Sequence, residues 1–295
     1  MKTSEIRILS KKNILCVYAV LAALMVIGTV ADFQLNTALY HPASAFAQIV
    51  SHYGLYPAVL CTYVSLAIFL KLITRDVKDV VSILCGLWNL YMCRSATKEF
   101  IKLFNSDTGM VKYIQLGLGI AIAVICAAAV FVKLDTSDRR TCRRIAMTIL
   151  FAFSFQYILI NKGLKGLWGR PRFRTLIVTD GMEFTPWYCP GLTEGAKALI
   201  QSGISVKEFQ SFPSGHAGCA SCLITLVCLC RVVPSLKKRE TLLTTIGICW
   251  ALLTIIGRMV AGAHFLTDVT AATCIGWTGF VLFAKLFAIG HAGKE

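Results

Sequence analysis

The chain has 295 residues, 56% of them hydrophobic and only 15% charged, with a mean hydropathy of +0.68; so apolar a composition excludes an ordinary soluble domain and marks an integral membrane protein. The net charge of +15 does not make it a nucleic-acid binder, because its Lys and Arg punctuate apolar runs and form no solvated patch. Nor do its thirteen cysteines make a disulfide framework, since most, including Cys16, Cys61, Cys126, Cys228, Cys249 and Cys274, lie inside apolar runs where cysteine acts as a small hydrophobe.

A basic start is followed by "NILCVYAVLAALMVIGTVADF", too long for a signal-peptide core and without a clean cleavage site, so residues 13–31 read as a retained first span. Residues 34–50 keep helical apolar spacing around a central proline, which predicts a segment lying along the outer interface. Further runs of spanning length fall at 54–72, 114–132, 144–161, 216–233, 241–257 and 266–287.

The run 80–93 is short, and charge placement decides for it. If it spans, the N-terminus, the loop around Lys71, Arg75 and Lys78, "KLDTSDRRTCRR", "RVVPSLKKRE" and the C-terminal tail share one face carrying 18 of the 30 basic residues. Cytoplasmic faces are enriched in this way. Lys98, Lys102 and Lys112 are the exceptions. The expected fold is therefore an all-α polytopic transmembrane bundle of about eight spans, four in residues 1–143 and four in 144–295, with both termini cytoplasmic in a plasma or inner membrane. The outer loop 162–215 contains one predicted short helix, "LTEGAKALIQSG", with Gly203 as its C-cap.

Three polar clusters fall on the outer face. "KGLKGLWGRPRFR" gathers Lys162, Lys165, Arg170, Arg172 and Arg174; "FPSGHAGC" places Ser214, Gly215 and His216 at the threshold of a span; "GRMVAGAHFLTD" ends one span at Arg258 and opens the next at His264 and Asp268. Guanidinium and ammonium groups bind phosphate oxygens, and a helix opened by Ser-Gly offers free N–H groups with no side chain at Gly215 to block approach. These features describe an anion cradle.

His264 and Asp268 are four apart, so on one helix they share a face, where the carboxylate holds one ring proton and leaves the other nitrogen as a nucleophile. His216 is then the candidate acid for a leaving group. The bland readings are interface anchors for the basic residues, a helix N-cap for Ser214 and structural histidines; His41 and His52, which lack such company, receive no role. Zinc on His216, His264 and Asp268 is the rival chemistry, disfavoured because the surrounding cations suit a phosphate and repel a metal. The CxxC pair Cys219/Cys222 has no second pair to complete a metal set.

These clusters resemble the signature of the type 2 phosphatidic acid phosphatase family, K-x6-R-P, P-S-G-H and S-R-x5-H-x3-D, over roughly residues 145–287. Lys165 and Arg172 match the first motif, Pro213–His216 the second, and Arg258, His264 and Asp268 the third. Phe173 replaces the family's Pro, a change expected to affect only the backbone, and Gly257 replaces its Ser, removing a hydroxyl. The resemblance implies His264 as nucleophile forming a phospho-histidine, Asp268 orienting it and His216 as acid and then base. It further implies Lys165, Arg172, Ser214, Gly215 and Arg258 as phosphoryl ligands, with no metal or other cofactor, and 144–295 as the phosphatase core. The implied substrate is a lipid phosphate or pyrophosphate met at the bilayer's outer leaflet. Transfer of the phosphoryl group to a second lipid is the nearest alternative, and transport of an anionic solute the alternative from another class; neither the lipid nor the oligomeric state is legible.

Overall fold

Among the described residues every element is helical. The structure, a computed structural model, describes residues 6–104 and 110–289; Lys2, the C-terminal tail beyond 289 and the side chain of Lys112 lie outside them. α1 (Lys11–Leu39) starts at the N-cap Ser10. After a turn come α2 (Ala45–Tyr53), capped by Ser44, and α3 (Tyr56–Arg75). α4 (Val80–Lys102) and α6 (Arg139–Gln156) are capped by Asp79 and Asp138, each accepting the backbone N–H three residues on. Between them lies α5 (Met110–Lys133).

α6 runs on through a π-helical stretch, Tyr157–Leu164, into the single turn α7 (Lys165–Trp168). The loop that follows holds α8 (Phe173–Leu176) and α9 (Glu194–Gln201). Thr193 caps α9, and Gly203 at φ +109° ends it, as the sequence predicts. α10 (Gly215–Ser221) continues as a tighter helix over Cys222–Arg231, and α11 (Glu240–Val260) and α12 (Leu266–Leu286) close the bundle.

All eight expected spans are helical. Six stretches, Lys11–Leu39, Ala45–Arg75, Tyr113–Lys133, Arg139–Leu176, Glu240–Val260 and Leu266–Leu286, are long and apolar enough to cross a membrane. The other two fall short for different reasons. α4 is long enough but carries Arg94, Lys98, Glu99 and Lys102 in its second half, while Gly215–Arg231 is apolar but brief. The outward faces of α1 and α5 are studded with exposed Leu15, Val30, Ile125 and Val132, which suits hydrocarbon and not water.

The bundle has two chemically different ends. At one, the basic loops are tied together: Arg139 and Arg143 pair with Asp79, the Asp135 N–H donates to Val232 O at 2.8 Å, and the Arg7 N–H donates to Glu240 at 2.6 Å. At the other end the segment 34–50 divides between the end of α1 and α2, and α2 packs on α11, burying Ala47 and Val50 while Ile49 stays exposed. All three polar clusters gather at that second end.

Candidate active site

The π-helical stretch holds the first residues of the first cluster and ends just before Lys165. A wider turn aligns residues four to five apart, and Asn161 and Lys165 accordingly converge on Gly215: a Cβ there would meet Asn161 Oδ1 at 2.7 Å and Lys165 Cε at 3.6 Å. Ser214 is the N-cap of α10, its Oγ accepting the Ala217 N–H at 3.3 Å and its own N–H donating to the Asp268 carbonyl at 3.0 Å. The first motif, the second and the start of α12 thus meet through short contacts.

The five cations of the first cluster have different fates. Arg170 is fully buried and donates to Asp268 Oδ1 at 2.5 Å, Asp32 Oδ2 at 2.9 Å, Thr267 Oγ1 at 2.8 Å and Thr185 O at 2.8 Å, with its guanidinium 4.2 Å over the Phe265 ring. Two carboxylates neutralise it, so it belongs to the framework and not to an anion cradle. Arg174 forms a bidentate pair with Glu208 at 3.0 and 2.5 Å, and Lys162 lies over the Tyr157 ring. Lys165 has no carboxylate partner among the described residues, and Arg172 spends one N–H on the Lys207 carbonyl at 3.1 Å. Arg258, nearly buried, donates to Ser51 Oγ at 2.9 Å and leaves its Nε without a partner among the described residues.

The His264–Asp268 relation differs from the shared helical face read from the sequence. His264 precedes the N-cap Phe265, and Asp268, the third residue of α12, turns back to accept the Phe265 N–H at 2.8 Å. Its carboxylate stands 3.8 Å from His264 Nδ1, too long for a hydrogen bond. Nδ1 instead lies 2.7 Å from the Ser211 carbonyl, and Asp268 holds Ser211 through its hydroxyl at 2.5 Å. Because a carbonyl only accepts, the ring proton sits on Nδ1 and the lone pair on Nε2. Asp268 therefore acts on the ring through Ser211 and through its charge.

His264 lies in the loop between α11 and α12 and is 1% exposed. Burial, followed by the charges of Arg258, Lys165 and Arg172, lowers its imidazole from 6.5 to about 3 against the opposing pull of Asp268. It is neutral at physiological pH. His216, partly exposed, is within electrostatic reach of His264 and the same three cations, and its Nε2 makes a long 3.4 Å contact with the Ser51 carbonyl. Both oxygens of Asp268 are occupied by Arg170, Ser211 and Phe265, which leaves the zinc reading without a free carboxylate.

Both departures from the family pattern have a structural counterpart. Phe173 does more than alter the backbone: its buried ring packs edge-on against Phe33, Tyr40 and Phe265. At Gly257 a Cβ would lie 2.6 Å from Val50 of α2, so the space of a side chain is already filled.

The sequence reading missed Asp32, Asn36, Ser51, Asn161 and Ser211. Asn36 donates to the His264 carbonyl at 3.0 Å, and Asp32 accepts the Thr267 N–H at 3.0 Å as well as Arg170. Asp32 and Asn36 stand just beyond the apolar run 13–31 on the same helix, and those polar residues beside a span were the available signal; nothing in the sequence announced Ser51.

Residues 145–289 match the family model described as the PAP2 superfamily. No curated protein and no solved structure matches the chain.

Proposed function

Because residues 145–289 match the PAP2 superfamily model, we propose that the chain is an integral membrane phosphatase that hydrolyses a lipid phosphate or pyrophosphate through a phospho-histidine. The observation that carries this reading is His264: a buried, neutral imidazole with Nδ1 committed to the Ser211 carbonyl at 2.7 Å, in reach of Lys165, Arg172 and Arg258. Nε2 attacks phosphorus and the bond to the alcohol oxygen breaks, with its electron pair leaving on that oxygen. His216 supplies the proton. Water then attacks the phospho-histidine, His216 takes its proton, and phosphate departs. Lys165, Arg172 and Arg258, with the Gly215 N–H at the start of α10, hold the phosphoryl oxygens and offset the charge that grows on them; the expected Ser214 N–H is not among these donors, being spent on the Asp268 carbonyl. These cations provide the positive charge needed at the phosphoryl group, so turnover is expected to survive EDTA.

The basic loops at the opposite end support an orientation with both termini cytoplasmic and the site at the outer leaflet, where a phosphorylated lipid presents its head group. The decisive assay is phosphate release from a panel of lipid phosphates in detergent containing EDTA. His264→Ala is expected to abolish release from every substrate. His216→Ala loses most activity on a lipid monophosphate but keeps a measurable fraction on an activated aryl phosphate, whose leaving group needs little protonation. Full activity of His264→Ala overturns the nucleophile assignment, and equal losses in both variants on the aryl phosphate overturn the division of roles.

A further inference from the structure

Resting on that phosphatase reading, we propose that Ser51, in the N-terminal half of the chain, is a positioning residue of the phosphoryl site. Its side-chain oxygen accepts from Arg258 Nη1 at 2.9 Å, and its backbone oxygen faces His216 Nε2 at 3.4 Å. One residue of α2 therefore touches two groups that the mechanism requires.

α2 is firmly seated on α11. Val50, 8% exposed, fills the notch at Gly257, where a Cβ would come within 2.7 Å of three of its carbon atoms, and Ala47 is 1% exposed. At Gly54 a Cβ would meet His216 Cδ2 at 3.0 Å. A segment so closely packed on both sides of Ser51 holds its hydroxyl in place. The Ser51 contact takes one of the five guanidinium protons of Arg258, and its buried Nε has no partner among the described residues. Ser51 thus orients the fork without using it up. A guanidinium at the end of a flexible stem loses transition-state stabilisation when its direction is lost, although its charge remains.

The test is a double-mutant cycle on the purified full-length protein. Ser51→Ala keeps a good helix former in α2, so a loss reports the hydroxyl. It is expected to lower kcat on a lipid monophosphate by about tenfold or more, as for one hydrogen bond to a charged group, with KM little changed. Ser51→Thr restores most of the rate. In an Arg258→Ala background the same Ser51→Ala change costs less than about twofold, because its partner is gone. The affinity for orthovanadate, measured for the wild type, both single variants and the double variant, reads the same coupling where turnover is too slow. Unchanged kcat in Ser51→Ala, failure of Ser51→Thr to recover it, or equal losses with and without Arg258 overturns the proposal. A wild-type protein that releases no phosphate overturns the phosphatase reading instead, while the vanadate cycle still decides whether Ser51 acts through Arg258.

Discussion

At the scale of single residues, Arg170 and Asp268 set the state of the site without facing substrate. Arg170 lies between two buried carboxylates, Asp32 and Asp268, at 2.9 and 2.5 Å. Two carboxylates sharing one dry pocket cannot both stay ionised without it. Arg170→Met is expected to cost about 3–5 kcal/mol, measured as lost thermal stability in detergent, and to lower turnover as Asp268 loses the partner that fixes its carboxylate. Adding Asp32→Asn to it costs much less than the same change alone, since the two act as one unit; additive losses would separate them. Two groups near the site and outside the spans contribute to the acid limb of stability. His264, lowered from 6.5 to about 3, stays neutral in the fold while the unfolded chain protonates, so its contribution falls as pH drops from about 6.5 towards 3. For Glu208, burial alone would raise the carboxyl; hydrogen bonds from Arg174 and Thr175 and the nearby guanidinium charges hold it at about 2, below the usual 4.5. Its stabilisation is complete above about 4.5 and is lost as pH falls through 2. Glu208→Gln is therefore expected to flatten the stability curve below pH 4.5, read by thermal unfolding across pH. A slope equal to wild type would sink this account.

At the scale of elements, α2 is the least obvious and most consequential piece. Its nine residues are too few to span, and their amphipathic pattern alone predicts an interfacial helix. What draws it onto α11 is the absence of a side chain at Gly257. Gly257→Ala is expected to push Val50 away at a cost of about 1–3 kcal/mol and to depress turnover by lifting Ser51 from Arg258. Gly195→Ala on α9, where a Cβ meets nothing within 4 Å, serves as the control and gains up to about 1 kcal/mol. Thermal melts and rates of the two variants decide it; similar behaviour would refute the notch. The π-helical stretch before Lys165 belongs to the same scale, since it sets which residues of that long helix face Gly215.

At the scale of the whole molecule, the basic loops and the site occupy opposite ends of the bundle, an arrangement that needs every reversal between α1 and α12. Cys189 offers a direct reading of orientation. It is exposed in the loop between α8 and α9, whereas the other exposed cysteines, Cys16 and Cys249, lie on helices long and apolar enough to cross a membrane. A membrane-impermeant maleimide is expected to label Cys189 in intact cells, with Cys189→Ser abolishing the signal. Labelling only after lysis would reverse the orientation.

The sequence by itself determined the helical class, the positions of the apolar segments and the local motifs, because hydrophobic run length, charge placement and fixed spacings are properties of adjacent residues. "FPSGHAGC" and "GRMVAGAHFLTD" announced His216, Arg258, His264 and Asp268 for that reason. Spacing could not show that His264 stands outside the helix that holds Asp268, since a helix start depends on where its first N–H groups find acceptors, and here Asp268 supplies one to Phe265. Nor could it separate Arg170 from Lys165 among neighbouring cations. That distinction depends on Asp32, 138 residues away in α1. Only the tertiary structure decided that Asp32, Asn36 and Ser51, far back in the chain, reach the candidate site around His264 and Arg258, because a buried charge or hydroxyl acquires its role from partners brought to it by packing.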